Sequence, residues 1–244
     1  MKTVTLLMLS VLLQISVSAQ VIVNIVLVGK DGITTKIKET QSFVVVKKYP
    51  DGFKRLDYPM HAPLKKLRSY SDSSLTVLQG TYYEYATDGA ITISGYYENN
   101  LRHKDWYTYD DTGKVILIEK YNNGLITQTI NPDTVKKDTA DKKLKPGEKE
   151  AVYKAGGKSW MQYLTRNINA DLAQNSVRGG TVKVAFRVNI EGKCEDVFLR
   201  KSVEFVLDEE GMRIIETAPL WEPAMKDGVK LNAYRIQPIT FVKQ

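Results

Sequence analysis

A single cysteine, Cys194, and two histidines, His61 and His103, leave this 244-residue chain little of the side-chain chemistry on which catalysis and metal binding draw. One thiol closes no internal disulfide, so Cys194 reads as a buried packing residue, with intermolecular pairing as the alternative. The histidines stand in unrelated contexts and read as surface or packing groups rather than as a base or a ligand. No Cys/His cluster has zinc spacing and no glycine-rich phosphate loop is present. The paired carboxylates Asp110-Asp111 sit in a turn, where such pairs are common. Together these absences argue against an enzyme, a cofactor, a metal and a small-molecule substrate. The excess of 35 Lys and Arg over 28 Asp and Glu gives a net charge of +7, but the basic residues are scattered and no nucleic-acid fold is evident. A general envelope charge is the reading of this balance.

Two stretches stand apart from any core. Met1 to Ala19 combines Lys2, an apolar run from Val4 to Leu13 and the small residues Val17-Ser18-Ala19, the pattern of a secretory signal peptide cleaved after Ala19. The alternative, an inner-membrane anchor continuing to Val28, would place Gln14, Ser16, Ser18, Gln20 and Asn24 in lipid, where unpaired polar groups are costly. Export to the periplasm is therefore expected. The absence of a cysteine near the cleavage site excludes a lipid anchor there. Residues 131–150 hold two prolines, six lysines and almost nothing apolar, and read as a solvated linker. Its reach is on the order of 25 Å as a coil and about 65 Å fully extended, that of a tether between neighbouring domains.

Between them, residues 20–130 read as all-β. Val21 to Val28 and Ser42 to Tyr49 are strands, followed by the turn signals Lys30-Asp31-Gly32 and Pro50-Asp51-Gly52. Residues 80–124 repeat internally. Tyr85 to Gly89 (YATDG) recurs as Tyr109 to Gly113 (YDDTG), and Tyr97 recurs as Tyr121, both at 24 residues. A fixed period of this size predicts stacked hairpins. The run GYYENNLRHKDWYTYDDTG resembles the MORN-type repeat, including its variant in antitoxin-like proteins, although His103-Lys104-Asp105 stands where a glycine usually precedes the Trp. Tyr82, Tyr83, Tyr85, Tyr96, Tyr97, Trp106, Tyr107, Tyr109 and Tyr121 read as a cross-strand ladder holding a narrow sheet, with a partner-contacting surface as the alternative.

The densest pattern lies in residues 151–244. In GTVKVAFRVNI, the residues Val182, Val184, Phe186, Val188 and Ile190 take one face of a half-buried strand. Glu191-Gly192-Lys193 supplies a turn, with Gly192 free to take positive φ, and Cys194 to Ser202 returns as the second strand of an antiparallel hairpin. Lys158 to Gln174 predicts a helix with Met161, Leu164 and Ile168 on its apolar stripe. Asp208 is placed to cap a second helix, with Gly211, Ile215 and Ala218 on one side and Pro219 as its stop. Trp221, between Pro219 and Pro223, is expected to pack under that second helix. The chain closes with a strand from Tyr234 to Val242. The fold class is therefore α+β, an all-β region of hairpin repeats followed by an α-β-β-α-β domain.

Ala155-Gly156-Gly157, the hairpin VKVAFRVNIEGKCEDVFLRKS, the helix start Leu207-Asp208-Glu209, the segment Pro219-Leu220-Trp221-Glu222-Pro223-Ala224 and the closing Pro238-Ile239-Thr240-Phe241 resemble the C-terminal domain of TonB-type energy transducers. The resemblance implies two helices on a three-stranded antiparallel sheet that grips a peptide from the plug of an outer-membrane receptor. Relatives usually have Tyr-Pro after the first helix, where this chain has Asn169-Ala170, and a transducer's long Pro-rich spacer is not evident. Pro238 has no N–H to give a sheet, which places the last strand at an edge. That edge, Tyr234, Arg235, Ile236, Gln237, Pro238, Ile239, Thr240 and Phe241, is the candidate for pairing with a partner peptide, unless Pro238 serves to blunt it. Trp221, Pro223 and Gly192 read as structural. Expected partners are an outer-membrane receptor plug peptide or another envelope protein, or a second copy of the chain; a non-transporting scaffold acting through the repeat surface is the alternative.

Overall fold

The computed structural model describes residues 21–133, 147–154 and 156–242. The signal-peptide reading of Met1 to Ala19 and most of the linker fall outside them. Ten strands form one antiparallel sheet: β1 (Val21–Gly29), β2 (Gly32–Ile33), β3 (Ser42–Tyr49), β4 (Gly52–Pro59), β5 (Lys66–Tyr70), β6 (Leu78–Tyr85), β7 (Ile91–Glu98), β8 (Leu101–Tyr109), β9 (Val115–Asn122) and β10 (Leu125–Ile130). From β3 to β10 it is a plain meander, with β1 and then β2 beyond β3.

The 24-residue period corresponds to two strands and two turns. At one end of the sheet Asn99-Asn100 and Asn123-Gly124 form two-residue hairpin turns with positive φ at both positions, the geometry that matches strand twist. At the other end, Gly89 N–H donates to Ala86 O and Gly113 N–H to Asp110 O, both at 3.0 Å. The hairpins lie side by side and pair by their edges; they do not stack face on face. On one face Trp106 packs between Tyr82 (5.3 Å), Tyr97 (5.1 Å) and Tyr121 (6.1 Å), with Arg102 over its ring at 4.2 Å. Trp106 is buried under this cover, so the ladder holds the sheet as cross-strand packing does.

The C-terminal part comprises β11 (Val152–Tyr153), α1 (Gly157–Asn167), α2 (Asp171–Asn175), β12 (Gly180–Val188), β13 (Cys194–Lys201), α3 (Phe205–Glu216), β14 (Trp221–Glu222), β15 (Ala224–Lys226), β16 (Val229–Leu231) and β17 (Ala233–Phe241). Strands β13, β12 and β17 form the expected three-stranded antiparallel sheet in that order. Val182, Val184, Phe186 and Val188 are fully buried, whereas Ile190 lies past the strand end and is exposed. The long first helix is two: α1 ends at Asn167 with extended backbone at Ile168, and Asn169 Oδ1 then accepts from Asp171 N–H at the start of α2. Its buried residues are Trp160 and Leu164, and Met161 faces outward. Helix α3 starts earlier than expected, with Glu204 at the N-cap, so Asp208 is buried inside the first turn instead of capping it. No helix among the described residues is long and apolar enough to cross a membrane.

The two parts share one core. Val45, Leu56, Tyr58, Tyr85 and Ile91 of the ten-stranded sheet, with Leu64 of the β4–β5 loop, belong to the same buried cluster as Val182, Phe186, Leu199, Leu207 and Ile214. Burial of this kind is the main favourable term in folding, so the C-terminal domain is fastened to the sheet and not merely tethered to it.

Candidate partner-binding edge

Strand β17 pairs with β12 from Gly180↔Phe241 to Val188↔Ala233 without a register break, and among the described residues no strand pairs with its other side. Its side chains alternate. Ile239 and Phe241 are buried in the core, while Tyr234 (65% exposed) and Ile236 (55%) project from the opposite face. The eight residues of the candidate edge therefore divide: Ile239 and Phe241 hold the strand down, and only their backbone is at the edge. Arg235 and Gln237 anchor the strand from the core side. Arg235 Nε donates to Ala151 O at 2.9 Å and its Nη1 to Glu150 at 2.7 Å, and Gln237 Oε1 accepts from Trp160 Nε1 at 2.7 Å. Thr240 shares a hydrogen bond of 2.9 Å with Thr181, and Pro238 lies opposite Lys183. Pro238 O accepts from the Gln237 side-chain amide at 2.7 Å. The edge is thus blunted at Pro238 and plain from Ala233 to Gln237. Arg187, opposite Tyr234, is held by Glu195 at 2.9 Å and Asp196 at 2.6 Å, so it brings no unpaired charge to the outer face.

Trp221 and Gly192, read separately as structural, meet. Trp221 N–H donates to Gly192 O at 2.8 Å, and a Cβ on Gly192, which has φ +88°, would lie 2.1 Å from Trp221 O. The indole packs on Trp160 (5.0 Å) of α1, Phe186 (5.2 Å) of β12 and Tyr153 (6.0 Å) of β11, in the same buried cluster as Ile214 and Ile215 of α3. Pro223, half-buried, separates β14 from β15. Cys194 is half-buried, and burial pushes its thiol up to about 12, which favours the thiol over the thiolate.

The other edge of the small sheet is covered at its C-terminal end. Beyond β13, Ser202 N–H donates to Gly89 O at 2.9 Å, and Ala90 bridges to Lys201, so the turn after β6 lies against that edge. Arg200 Nη2 donates to Gly113 O at 2.7 Å, Tyr85 hydroxyl to Leu199 O at 3.0 Å, and Tyr83 stacks on Phe198 at 5.0 Å. Below them lies a buried polar knot. Asp208 accepts from Tyr58 hydroxyl at 3.0 Å, from Val203 N–H at 2.9 Å and from Ser202 hydroxyl, and Ser202 Oγ accepts from Leu64 N–H at 2.7 Å. Lys47 pairs with Glu209 beside it. Burial raises the Asp208 carboxyl to about 7 against the pull of its three donors, with Glu209 adding to the rise. Sequence reading assigned Asp208 to a helix cap and missed this joint, whose partners lie more than a hundred residues away.

Residues 171–242 match the family model of the Gram-negative bacterial TonB protein C-terminal. The matched stretch runs from α2 to the end of β17 and so takes in α3 and the whole three-stranded sheet. It is under a third of the chain; the ten-stranded sheet and α1 lie outside it. The TonB resemblance read from the sequence is supported over that stretch, whereas the MORN-like one rests on its motif alone. No curated protein and no solved structure matches the chain.

Proposed function

We propose that this is an exported envelope protein whose TonB-like domain takes an extended partner peptide, such as a segment of an outer-membrane receptor's plug, as a fourth strand along β17, linking it to TonB-dependent transport. The observation that carries this reading is the inequality of the two edges: β13 is met at its C-terminal end, Lys201 and Ser202, by the turn at Gly89, and β17 is open along its length among the described residues. An added strand satisfies the free backbone groups of an edge and gains specificity from alternate side chains. Because Pro238 has no N–H, pairing favours Ala233 to Gln237. Alternate residues of the peptide then lie beside Tyr234 and Ile236, which suits apolar or aromatic side chains. The test is a photoreactive amino acid at Tyr234 in intact cells, with captured peptides identified by mass spectrometry and exposed Val229 on β16 as the control position. Capture of receptor plug peptides from position 234 and not from 229 is the expected result. Capture of soluble envelope proteins alone would refute the transport link and favour a non-transporting scaffold, for which the outer face carrying Arg102 and Tyr121 is the available surface.

A further inference from the structure

The geometry points to a second copy of this chain pairing along β1, so that two ten-stranded sheets join edge to edge. Strand β1 pairs with β3 on one side. On its other side β2 covers only Val28 and Gly29, and Thr34 N–H takes Leu27 O. Val21 to Val26 is left open among the described residues. Val21, Ile22, Val23 and Ile25 are each between 44% and 54% exposed, and since they fall on both faces, neither side of this strand is fully covered.

Exposed edges in natural sheets are blunted by lysine, proline, short length or inward charge, because a long apolar edge recruits other strands. The other free edges of the two larger sheets are interrupted: β17 carries Pro238, and β10 has the polar Thr127, Gln128 and Thr129 at its centre. β1 (VIVNIVLVG) has no charge and no proline. A register shift between Ile22 and Asn24 bends it on the β3 side but puts no charge on the open side.

The occupant is argued from the strand itself. A partner must be uncharged and apolar on both faces over about six residues, and Val21 to Val26 meets that requirement against its own antiparallel copy. The open window pairs completely, Val21 with Val26, Ile22 with Ile25 and Val23 with Asn24, so that apolar side chains meet apolar ones across most of the seam. A two-fold axis joins identical surfaces and closes both open edges at once. The uncharged seam also keeps two net-basic chains from placing like charges opposite each other.

The test is sedimentation equilibrium of the purified exported chain over a wide concentration range, with the double variant Ile22→Lys/Ile25→Lys beside it. The wild type is expected to form a dimer, and the variant, which sets lysines against each other at both exposed pairs, to associate at least about a hundredfold more weakly with an unchanged circular dichroism spectrum. Register is tested in parallel: a mixture of Val23→Cys and Asn24→Cys chains should oxidise to a mixed disulfide in preference to either homodimer. A monomer at every concentration would overturn the proposal, whether β1 is then covered by residues 1–20 of its own chain or by another protein. So would a dimer indifferent to the lysines that also forms no mixed disulfide.

Discussion

Replacing Asp208 with Asn should flatten the pH dependence of stability, and the size of the effect follows from where the carboxyl sits. Asp208 is fully buried between α3 and the ten-stranded sheet, and its pKa is raised from the ordinary value near 4 to about 7. Between those values the folded chain holds a proton that the unfolded chain has released, so stability falls as pH rises through the window. The contribution is complete below about pH 4 and gone above about pH 7. A rise of this size is about 4 kcal/mol in all, of which rather more than half is lost between about pH 5 and about pH 8. Asparagine has the same shape and does not titrate. Its oxygen still accepts from Val203 N–H, and its amide can donate to the Ser202 and Tyr58 oxygens once those hydroxyls rotate. Urea unfolding followed by tryptophan fluorescence, at both pH values for both proteins, isolates the term, because every other titrating group is common to the two. Parallel stability profiles for wild type and variant would refute the reasoning and mean that the three donors hold Asp208 ionised throughout.

Trp221→Ala should cost roughly 3 to 5 kcal/mol in the same assay, since it empties a site packed by Trp160, Phe186 and Tyr153. Trp221→Phe should cost clearly less, because among the described residues the buried Nε1 has no hydrogen-bond partner to lose; equal losses would show that the indole nitrogen matters. Gly95→Ala places a Cβ 2.2 Å from the Trp106 ring and should destabilise by about 1 to 3 kcal/mol while changing the near-ultraviolet circular dichroism of the ladder. An unchanged spectrum would mean that the ring is free to move.

The hairpins were legible because their signals are local. The alternation of Val182, Val184, Phe186 and Val188 and the turn at Gly192 specify strands and reversal within a dozen residues. The edge position of β17 was legible from Pro238 for a similar reason. What failed was what distant residues decide. The first helix breaks at Ile168 because Glu210, forty-one positions on, accepts from Asn169 N–H at 2.6 Å and holds the chain extended there. Helix α3 begins at Phe205, which sits edge-on to Phe43 and Tyr58 of the ten-stranded sheet, and this early start carries Asp208 inward. The faces of the tyrosine-rich strands could not be assigned either. Tyr82 and Tyr83 are neighbours of the same type, yet one packs in the ladder and the other on Phe198.

The repeat shows how one turn became a docking element. Gly89 and Gly113 occupy equivalent places 24 residues apart and share φ near +84°, so backbone conformation favours glycine at both. Space separates them. A Cβ at Gly113 would meet only the flexible end of Arg200, at 3.4 Å, whereas at Gly89 it would lie 1.9 Å from Ser202 O, a backbone atom. Position 89 is therefore held to glycine by the contact with the end of β13 as well as by its turn. A three-stranded sheet standing alone has two edges, and a peptide could add to either. With the turn at Gly89 lying against the C-terminal end of β13, the two edges are no longer equivalent, and the strand addition proposed above is directed to β17.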